Sequence, residues 1–146
     1  DRSRAFMMKY NSTSRFLELV EKQDCDICTG EYFTIKGRLT HNRSFRLEQQ
    51  QLTITDILMK SGKEHMASLF YHFAPGISPV LEDKAVSFKM HGMRFLLKIG
   101  SSCPVKMSIK DDTVSPSYGV LQDSKTLIAN VDFDETIQIC TTISHR

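Results

Sequence analysis

The sequence has no tryptophan, only four prolines and seven glycines. It also has no apolar run approaching the roughly 20 residues of a membrane-spanning helix. The amino terminus lacks the basic, apolar and small-residue pattern of a signal peptide. No segment repeats apolar residues at the i, i+3, i+4, i+7 spacing of an amphipathic helix. Phosphate-binding glycine loops, the G-x-S-x-G motif and the kinase motifs are missing as well. We therefore expect a globular chain built from strands, with no membrane partner.

An excess of one charge is also lacking. Lys and Arg number 19 against 17 Asp and Glu, which leaves a formal net charge of +2. No basic stretch with interleaved aromatic residues is present, so we do not expect a nucleic acid partner. A length of 146 residues with 40% hydrophobic residues is typical of one globular domain. We predict a single domain over residues 1–146.

Four cysteines are too few for a disulfide framework in a chain of this length. Cys25 and Cys28 form a CxxC motif, but no second CxxC or suitably spaced pair of histidines accompanies it. A thioredoxin-like site would need a βαβ setting, and helical patterns are scarce. We interpret the cysteines as structural thiols and predict no metal site and no cofactor in this chain. A local redox or metal role for the CxxC motif is the alternative.

Two runs of alternating apolar residues, 39–47 and 52–58, predict a hairpin that folds back at Gln49-Gln50. One register matches both apolar faces, and a slip by one residue would turn each apolar set to the wrong side of the sheet. That register pairs Leu47 with Leu52, Phe45 with Ile54, and Arg43 with Asp56. The last two residues then face each other among apolar neighbours, so we predict a buried structural ion pair. A catalytic dyad is the weaker alternative, because an arginine is a poor proton carrier.

Further strands follow from the same alternation. A second hairpin is predicted around His91-Gly92, with Phe88 opposite Phe95, because Gly92 supplies the positive φ that a tight turn needs. Residues 66–73 are apolar on both faces, which is typical of a central strand that is covered on each side. Residues 127–133 and 136–143 predict a closing hairpin. Gly30 is interpreted as a turn between two strands.

About ten short strands separated by turn residues predict an all-β fold. We expect an antiparallel two-sheet β-sandwich of about ten strands. A closed β-barrel is the alternative, because strand patterns alone do not show whether a sheet closes on itself.

Five short motifs carry a resemblance to a known family. They are DRSR at 1–4, HNRSF at 41–45, LTITDIL at 52–58, FYHFAPG at 70–76 and VSPSYG at 114–119. Together they resemble the C-terminal β-sandwich region of heparinase II/III-like polysaccharide lyases. None of the motifs is a catalytic signature. The chain also begins with Asp rather than Met, and with the resemblance this leads us to expect a C-terminal fragment of a larger protein.

The resemblance implies a function that the motifs themselves do not carry. Members of the family cleave acidic polysaccharides by β-elimination, using Asn, His and Tyr residues on a helical toroid N-terminal to the sandwich. Some members also hold a zinc ion in the first part of the sandwich. No catalytic residue of the family can be matched to a position in this chain. The resemblance thus implies a non-catalytic domain whose partners are an acidic polysaccharide and an N-terminal helical catalytic domain of the same parent chain. Zinc, where present, would belong to the parent.

The polar amino terminus supplies the expected substrate contacts, namely Arg2, Arg4 and Lys9. In the resembling family this segment follows directly on the metal-binding part of the sandwich. The simpler alternative is that the three cations are solvated surface charges. A second hypothesis is a freestanding carbohydrate- or protein-binding module with no lyase attached. Such a module would need exposed aromatic residues, whereas the chain lacks Trp and most of its Phe residues fall on predicted core faces.

Overall fold

The structure is a computed structural model that describes residues 12–34 and 38–145. The regular structure in this part consists of strands, as the alternating patterns predict. None of these residues forms a helix that is long and apolar enough to cross a membrane. The strands in chain order are β1 (Ser12–Glu21), β2 (Asp26–Thr34), β3 (Leu39–Leu47), β4 (Gln51–Lys60), β5 (His65–His72), β6 (Val80–Glu82), β7 (Ala85–Met90), β8 (Met93–Ser101), β9 (Val105–Ser117), β10 (Val120–Phe133) and β11 (Thr136–His145).

The strands form two antiparallel sheets of unequal size. The large sheet has eight strands in the order β1-β2-β3-β4-β11-β8-β7-β6, and the small sheet has three in the order β5-β10-β9. Within the described ranges neither sheet closes on itself. The prediction of an antiparallel two-sheet β-sandwich is confirmed, with eleven strands rather than about ten.

The hydrophobic core lies between the small sheet and one half of the large sheet. Alternate residues of β10 point into it because successive strand side chains face opposite ways. Strands β5, β7, β8 and β11 contribute in the same way. The buried cluster comprises Leu69, Phe73, Val86, Leu97, Ile99, Leu127, Ala129, Val131, Phe133, Ile137 and Ile139.

The two hairpins predicted from matched apolar faces have the predicted registers. In β3 and β4, Phe45 lies opposite Ile54, and Leu47 lies opposite Leu52. In β7 and β8, Phe88 lies opposite Phe95. His91 and Gly92 have φ values of 50° and 81°, the left-handed conformation that this turn requires. Matching of apolar faces was sufficient to determine these two registers.

The predicted closing hairpin is wrong. β10 and β11 are joined at Asp134-Glu135, but β10 belongs to the small sheet, while β11 pairs with β4 and β8 in the large sheet. Both strands turn an apolar face to the core from opposite sides of the sandwich. Their alternation is therefore the same as that of a hairpin, and the pattern does not distinguish the two arrangements.

Two smaller predictions are also wrong. Gly30 does not make a turn but lies inside β2, where it faces Phe16 on β1 and Arg43 on β3. The register of β1 shifts beside Phe16, so the glycine sits next to a β-bulge. β5 is not a central strand but an edge strand of the small sheet, and its Met66 and Phe70 are exposed.

Candidate functional site

A cleft of about 460 Å³ opens between β3 and β4 of the large sheet and β5 of the small sheet. β5 is the edge strand of the small sheet, so the small sheet ends over this part of the large sheet and the sandwich is open here. One wall is polar and is formed by His41, Arg43, Asp56 and Lys60. The remaining lining is mainly apolar and includes Leu58, Leu69, Phe133 and Ile139. Apolar clefts with a few convergent polar groups are the usual form of ligand sites.

Asp56 is the centre of the polar wall. Its side chain is 2% exposed and accepts hydrogen bonds from two residues of the neighbouring strand β3. Arg43 donates through Nε to Oδ1 at 2.6 Å and through Nη2 to Oδ2 at 3.2 Å. His41 Nε2 lies 2.5 Å from Asp56 Oδ1, so this nitrogen carries the proton that it donates to the carboxylate. The carboxylate is held by two fixed donors.

The cross-strand register explains this geometry. Arg43 lies directly opposite Asp56, and His41 lies two residues along the same face of β3, within reach of the same carboxylate. The sequence placed His41 on this face but did not identify Asp56 as its partner. Arg43 departs from the expectation of a buried pair, because its side chain is 41% exposed. Its guanidinium lies 6.0 Å from the centroid of the Phe45 ring. The pair therefore forms the wall of a cleft.

Hydrogen bonding and burial shift the pKa values of this cluster. Burial alone would raise the pKa of Asp56, but the hydrogen bonds and charges of His41 and Arg43 outweigh it and hold the pKa below its ordinary value. The hydrogen bond to Asp56 raises the pKa of Arg43. Burial raises the pKa of the neighbouring Tyr71, whose hydroxyl lies 2.6 Å from Thr141 Oγ1 across the sandwich. Asp56 is thus a permanently charged structural group near neutral pH.

Asp56 and Arg43 are poorly suited to general acid–base catalysis. A general base needs an accessible lone pair within hydrogen-bond reach of the proton that it removes. Asp56 is buried and engaged by two donors, and the lowered pKa makes it a weak base. Arg43 stays protonated. The cleft can therefore bind a ligand or support a neighbouring segment, and neither Asp56 nor Arg43 is suited to accept a proton.

A second polar cluster, which the sequence did not predict, lies on the outer face of the small sheet. Thr126 donates to Asp112 Oδ2 at 2.6 Å, and His72 Nδ1 lies 2.8 Å from the same hydroxyl oxygen. Because Thr126 uses its proton on Asp112, His72 Nδ1 donates to Thr126 and leaves Nε2 free. The hydrogen bond from Thr126 lowers the pKa of Asp112. The three residues come from β5, β9 and β10, whose mutual register no local pattern reveals.

The predicted substrate contacts Arg2, Arg4 and Lys9 lie outside the described residues. Cys25, Cys28, Cys103 and Cys140 are free thiols. Within residues 12–34 and 38–145, no group of three or more His, Cys, Asp or Glu side chains is placed to hold a metal ion. The expectation that this chain has no cofactor stays a prediction.

Comparison with known proteins identifies a shared fold. No protein-family model matches the sequence, and curated proteins give no significant match. The structure is similar to heparan sulfate lyase HepC from Pedobacter heparinus, with a TM-score of 0.80 and 12% identity over 90% of this chain. It is also similar to a heparinase III gene product (TM-score 0.77, 19% identity, 91% of this chain) and to another heparinase III structure (TM-score 0.77, 13% identity, 90% of this chain).

These similarities confirm, at the level of the fold, the resemblance seen in the short motifs. The chain spans 21% of the length of each of the three proteins. At these identities the similarity establishes the architecture and leaves activity and substrate to be tested.

Proposed function

We propose that this chain is a non-catalytic β-sandwich domain, from the C-terminal region, of a heparinase II/III-like lyase that cleaves acidic, uronic-acid-containing polysaccharide by β-elimination. One observation carries the proposal: about nine-tenths of the chain shares its fold with polysaccharide lyases, while it spans 21% of their length. The five short motifs, which resemble the sandwich region of the same family, support this conclusion independently of the fold.

The chemistry of β-elimination supports the non-catalytic role. The reaction needs a base that removes the C5 proton of the uronic acid and a group that neutralises its carboxylate. In the cleft, Asp56 is engaged by Arg43 and His41 and is a weak base. His72 has a free Nε2, but it lies on the outer face of the small sheet, where its side chain is 56% exposed. General acid–base catalysis requires a base that is held in position against the substrate.

A freestanding binding module is the second candidate, and one observation favours it. Such a module needs exposed aromatic residues, and Phe16, Phe45, Phe70 and Tyr118 are exposed in the structure, although most Phe residues were expected on core faces. Aromatic rings on a surface bind partners through their apolar faces. Under this hypothesis the isolated chain binds polysaccharide by itself and belongs to no lyase.

The experiment is a lyase assay on the 146-residue chain and on the full-length parent. Each is incubated with heparan sulfate, hyaluronan and alginate, and absorbance of the unsaturated uronate product is followed. We expect product from the parent on at least one substrate and none from the isolated chain. Activity of the isolated chain would disprove the non-catalytic role. Inactivity of the parent on every acidic polysaccharide would disprove the lyase assignment. Polysaccharide binding by the chain without any lyase parent would favour the binding module.

A further inference from the structure

The two sheets cover each other unequally. The inner faces of β4, β11, β8 and β7 are buried under the small sheet, whereas β1, β2 and β3 extend beyond it. Cross-strand partners share a face, so the register with buried Ile54 identifies which residues of β1–β3 point inward. The apolar inward residues that stand exposed are Phe16, Leu19, Tyr32, Phe45 and Leu47, with Phe16 at 64% and Leu19 at 59%. Polar residues such as Glu21, Asp26 and Arg43 lie among them on the same side. We call this surface the uncovered face.

The opposite side of the same three strands is mainly polar. It carries an Arg15–Glu31 ion pair, and the Thr29 hydroxyl donates to Glu18 and accepts from the Ser44 hydroxyl. Most of the exposed large apolar residues of these strands lie on the inner side, while Phe33 lies on the outer side. The uncovered face therefore carries an exposed apolar patch that the small sheet does not cover.

The edge of β5 beside the uncovered face has free backbone groups. Phe73 N–H donates to Lys125 O at 2.9 Å, in continuation of the register that places His72 opposite Thr126. In an antiparallel ladder, hydrogen-bonded residues alternate with residues whose N–H and C=O point away. The N–H and C=O groups of Met66, Ser68 and Phe70 therefore point away from β10 and into the cleft, whose lining includes these residues. Among the described strands none pairs with this edge.

The sequence of β5 resembles that of an inner strand. Its inner face is apolar, and on its outer face the apolar Met66 and Phe70 stand exposed beside Ser68 and His72, with Phe70 at 56%. Natural edge strands are protected by lysines, prolines or bulges, and β5 has none of these in Met66–His72. A strand with inner-strand composition at a free edge, next to an uncovered apolar face, indicates a missing neighbour.

We propose that the free edge of β5 receives an extended strand from the remaining polypeptide of the parent protein. This strand continues the small sheet over β3 and begins to cover β2 and β1. Its inward residues are apolar at every second position, to pack on Phe45 and Leu47. Nearer the cleft, the positive charges of Arg43 and Lys60 favour an acidic residue in the incoming strand. The carboxylate of Asp56 is already neutralised by its ion pair with Arg43. That the strand comes from a lyase parent rests on the proposed function. That the edge of β5 binds a strand does not.

A second copy of this chain does not fit the same edge. Antiparallel pairing of two identical edges places a two-fold axis perpendicular to the sheet, so both copies keep their large sheets on the same side. The large sheet of the second copy would then occupy the layer in which β1–β3 already lie. The occupant is thus a single strand rather than another whole sandwich.

Amide hydrogen exchange of the isolated chain and of the parent tests the proposal. In the isolated chain the Met66, Ser68 and Phe70 amides have no partner among residues 12–34 and 38–145 and should exchange rapidly, while Leu69 and Tyr71 are protected by β10. In the parent we expect the first three to exchange roughly 100-fold more slowly. Equal exchange rates of these three amides in both proteins would overturn the proposal. A coding region that encodes no polypeptide beyond these 146 residues would overturn it as well.

A proline variant with a matched control makes the test specific. Ser68→Pro removes an N–H that points away from β10, which an edge strand tolerates, and it also removes the hydrogen bond from Ser68 to Asn130. Ser68→Ala loses only that hydrogen bond. We expect both isolated variants to unfold at similar temperatures, whereas in the parent Ser68→Pro alone restores fast exchange at Met66 and Phe70. Equal protection in the two parent variants would contradict strand pairing.

The remaining outcomes identify other occupants. Protection that is already present in the isolated chain and is lost on deletion of residues 1–11 would assign the edge to that segment and overturn the proposal. Protection that rises with concentration of the isolated chain would assign it to a second copy, with the same consequence. Protection in a parent that has no lyase activity would support the strand while disproving the proposed function.

Discussion

Asp56 shows how a single buried carboxylate depends on its neighbours. Taking an unpaired charge out of water costs several kcal/mol, and in this fold two donors on the adjacent strand offset that cost. Alternation along β3 and β4 was enough to place Arg43 opposite Asp56. The exposure of Arg43 was not predictable, because it depends on where the small sheet ends above β3. That boundary is a property of the assembled sandwich.

We predict that the two residues are energetically coupled. Arg43→Met leaves Asp56 buried with His41 as its remaining partner and should lower the free energy of unfolding by about 3 kcal/mol. The double variant Arg43→Met, Asp56→Leu removes the stranded charge and should recover at least about 1 kcal/mol of that loss. Urea denaturation of the wild type, both single variants and the double variant measures the coupling. Losses that simply add would show that the pair is not coupled.

Acid titration provides an independent check on Asp56. Its pKa is lowered in the folded state, so the unfolded state binds more protons in acid. The stabilisation is fully present above the ordinary carboxyl pKa of about 3.9 and is lost as the pH falls through the lower folded value. We predict that the destabilisation caused by Asp56→Asn is constant from about pH 7 to about pH 5 and shrinks below about pH 4. A destabilisation that grows in acid would contradict the assignment.

At the scale of strands, the local alternation of apolar and polar residues was sufficient to predict hairpin registers. It was insufficient to predict the order of strands in the sheets. The hairpins β3–β4 and β7–β8 were predicted residue by residue because their partners are adjacent in the chain and one register alone buries both apolar sets. β10 and β11 show the same alternation but lie in different sheets. The His72–Thr126–Asp112 cluster depends on that sheet order, so it escaped prediction for the same reason.

Two glycines, Gly30 inside a strand and Gly92 in a turn, lead to opposite predictions. Gly30 lies within β2, and an added Cβ would meet its nearest atom, Arg15 O, at 3.6 Å, which is an ordinary contact. Gly30→Ala should therefore raise the free energy of unfolding by about 0.5 kcal/mol, because alanine has less conformational freedom to lose.

Gly92 serves as the comparison. It holds a φ of 81° in the tight turn, so Gly92→Ala should destabilise by about 1 kcal/mol. Thermal and urea unfolding of the two variants measure both values. A strong loss at Gly30 would show that the strand needs a glycine there for a reason other than space, such as the adjacent bulge in β1.

At the scale of the molecule, the sandwich is half covered, and this asymmetry connects the fold to the proposed role. A domain that exposes an apolar inner face and a free strand edge is suited to packing against more polypeptide. The alternating patterns predicted the class of fold, and the short motifs predicted its relatives. They could not show which strands remain uncovered, because each strand pattern is the same whether its neighbour is supplied by this chain or by another segment.

Substrate contact by the amino-terminal cations remains a prediction at this scale. We expect Arg2→Ala, Arg4→Ala, Lys9→Ala in one chain to weaken binding to heparan sulfate. Exposed ion pairs contribute at most about 1 kcal/mol each, or roughly fivefold in Kd per cation. The effect should decrease as salt is raised, because screening weakens exposed pairs. Affinity measured across a salt series gives both the loss and its slope.

The matched control removes three exposed cations from the hairpin of β7 and β8, as Lys89→Ala, Arg94→Ala, Lys98→Ala. Both triple variants change the net charge by the same amount. A polysaccharide attracted only by overall charge would therefore be weakened equally by the two. We expect a clearly larger loss for the amino-terminal variant, because local contacts depend on where the cations lie. Equal losses would show that Arg2, Arg4 and Lys9 are solvated surface charges, and the substrate would then have to be held by other parts of the parent protein.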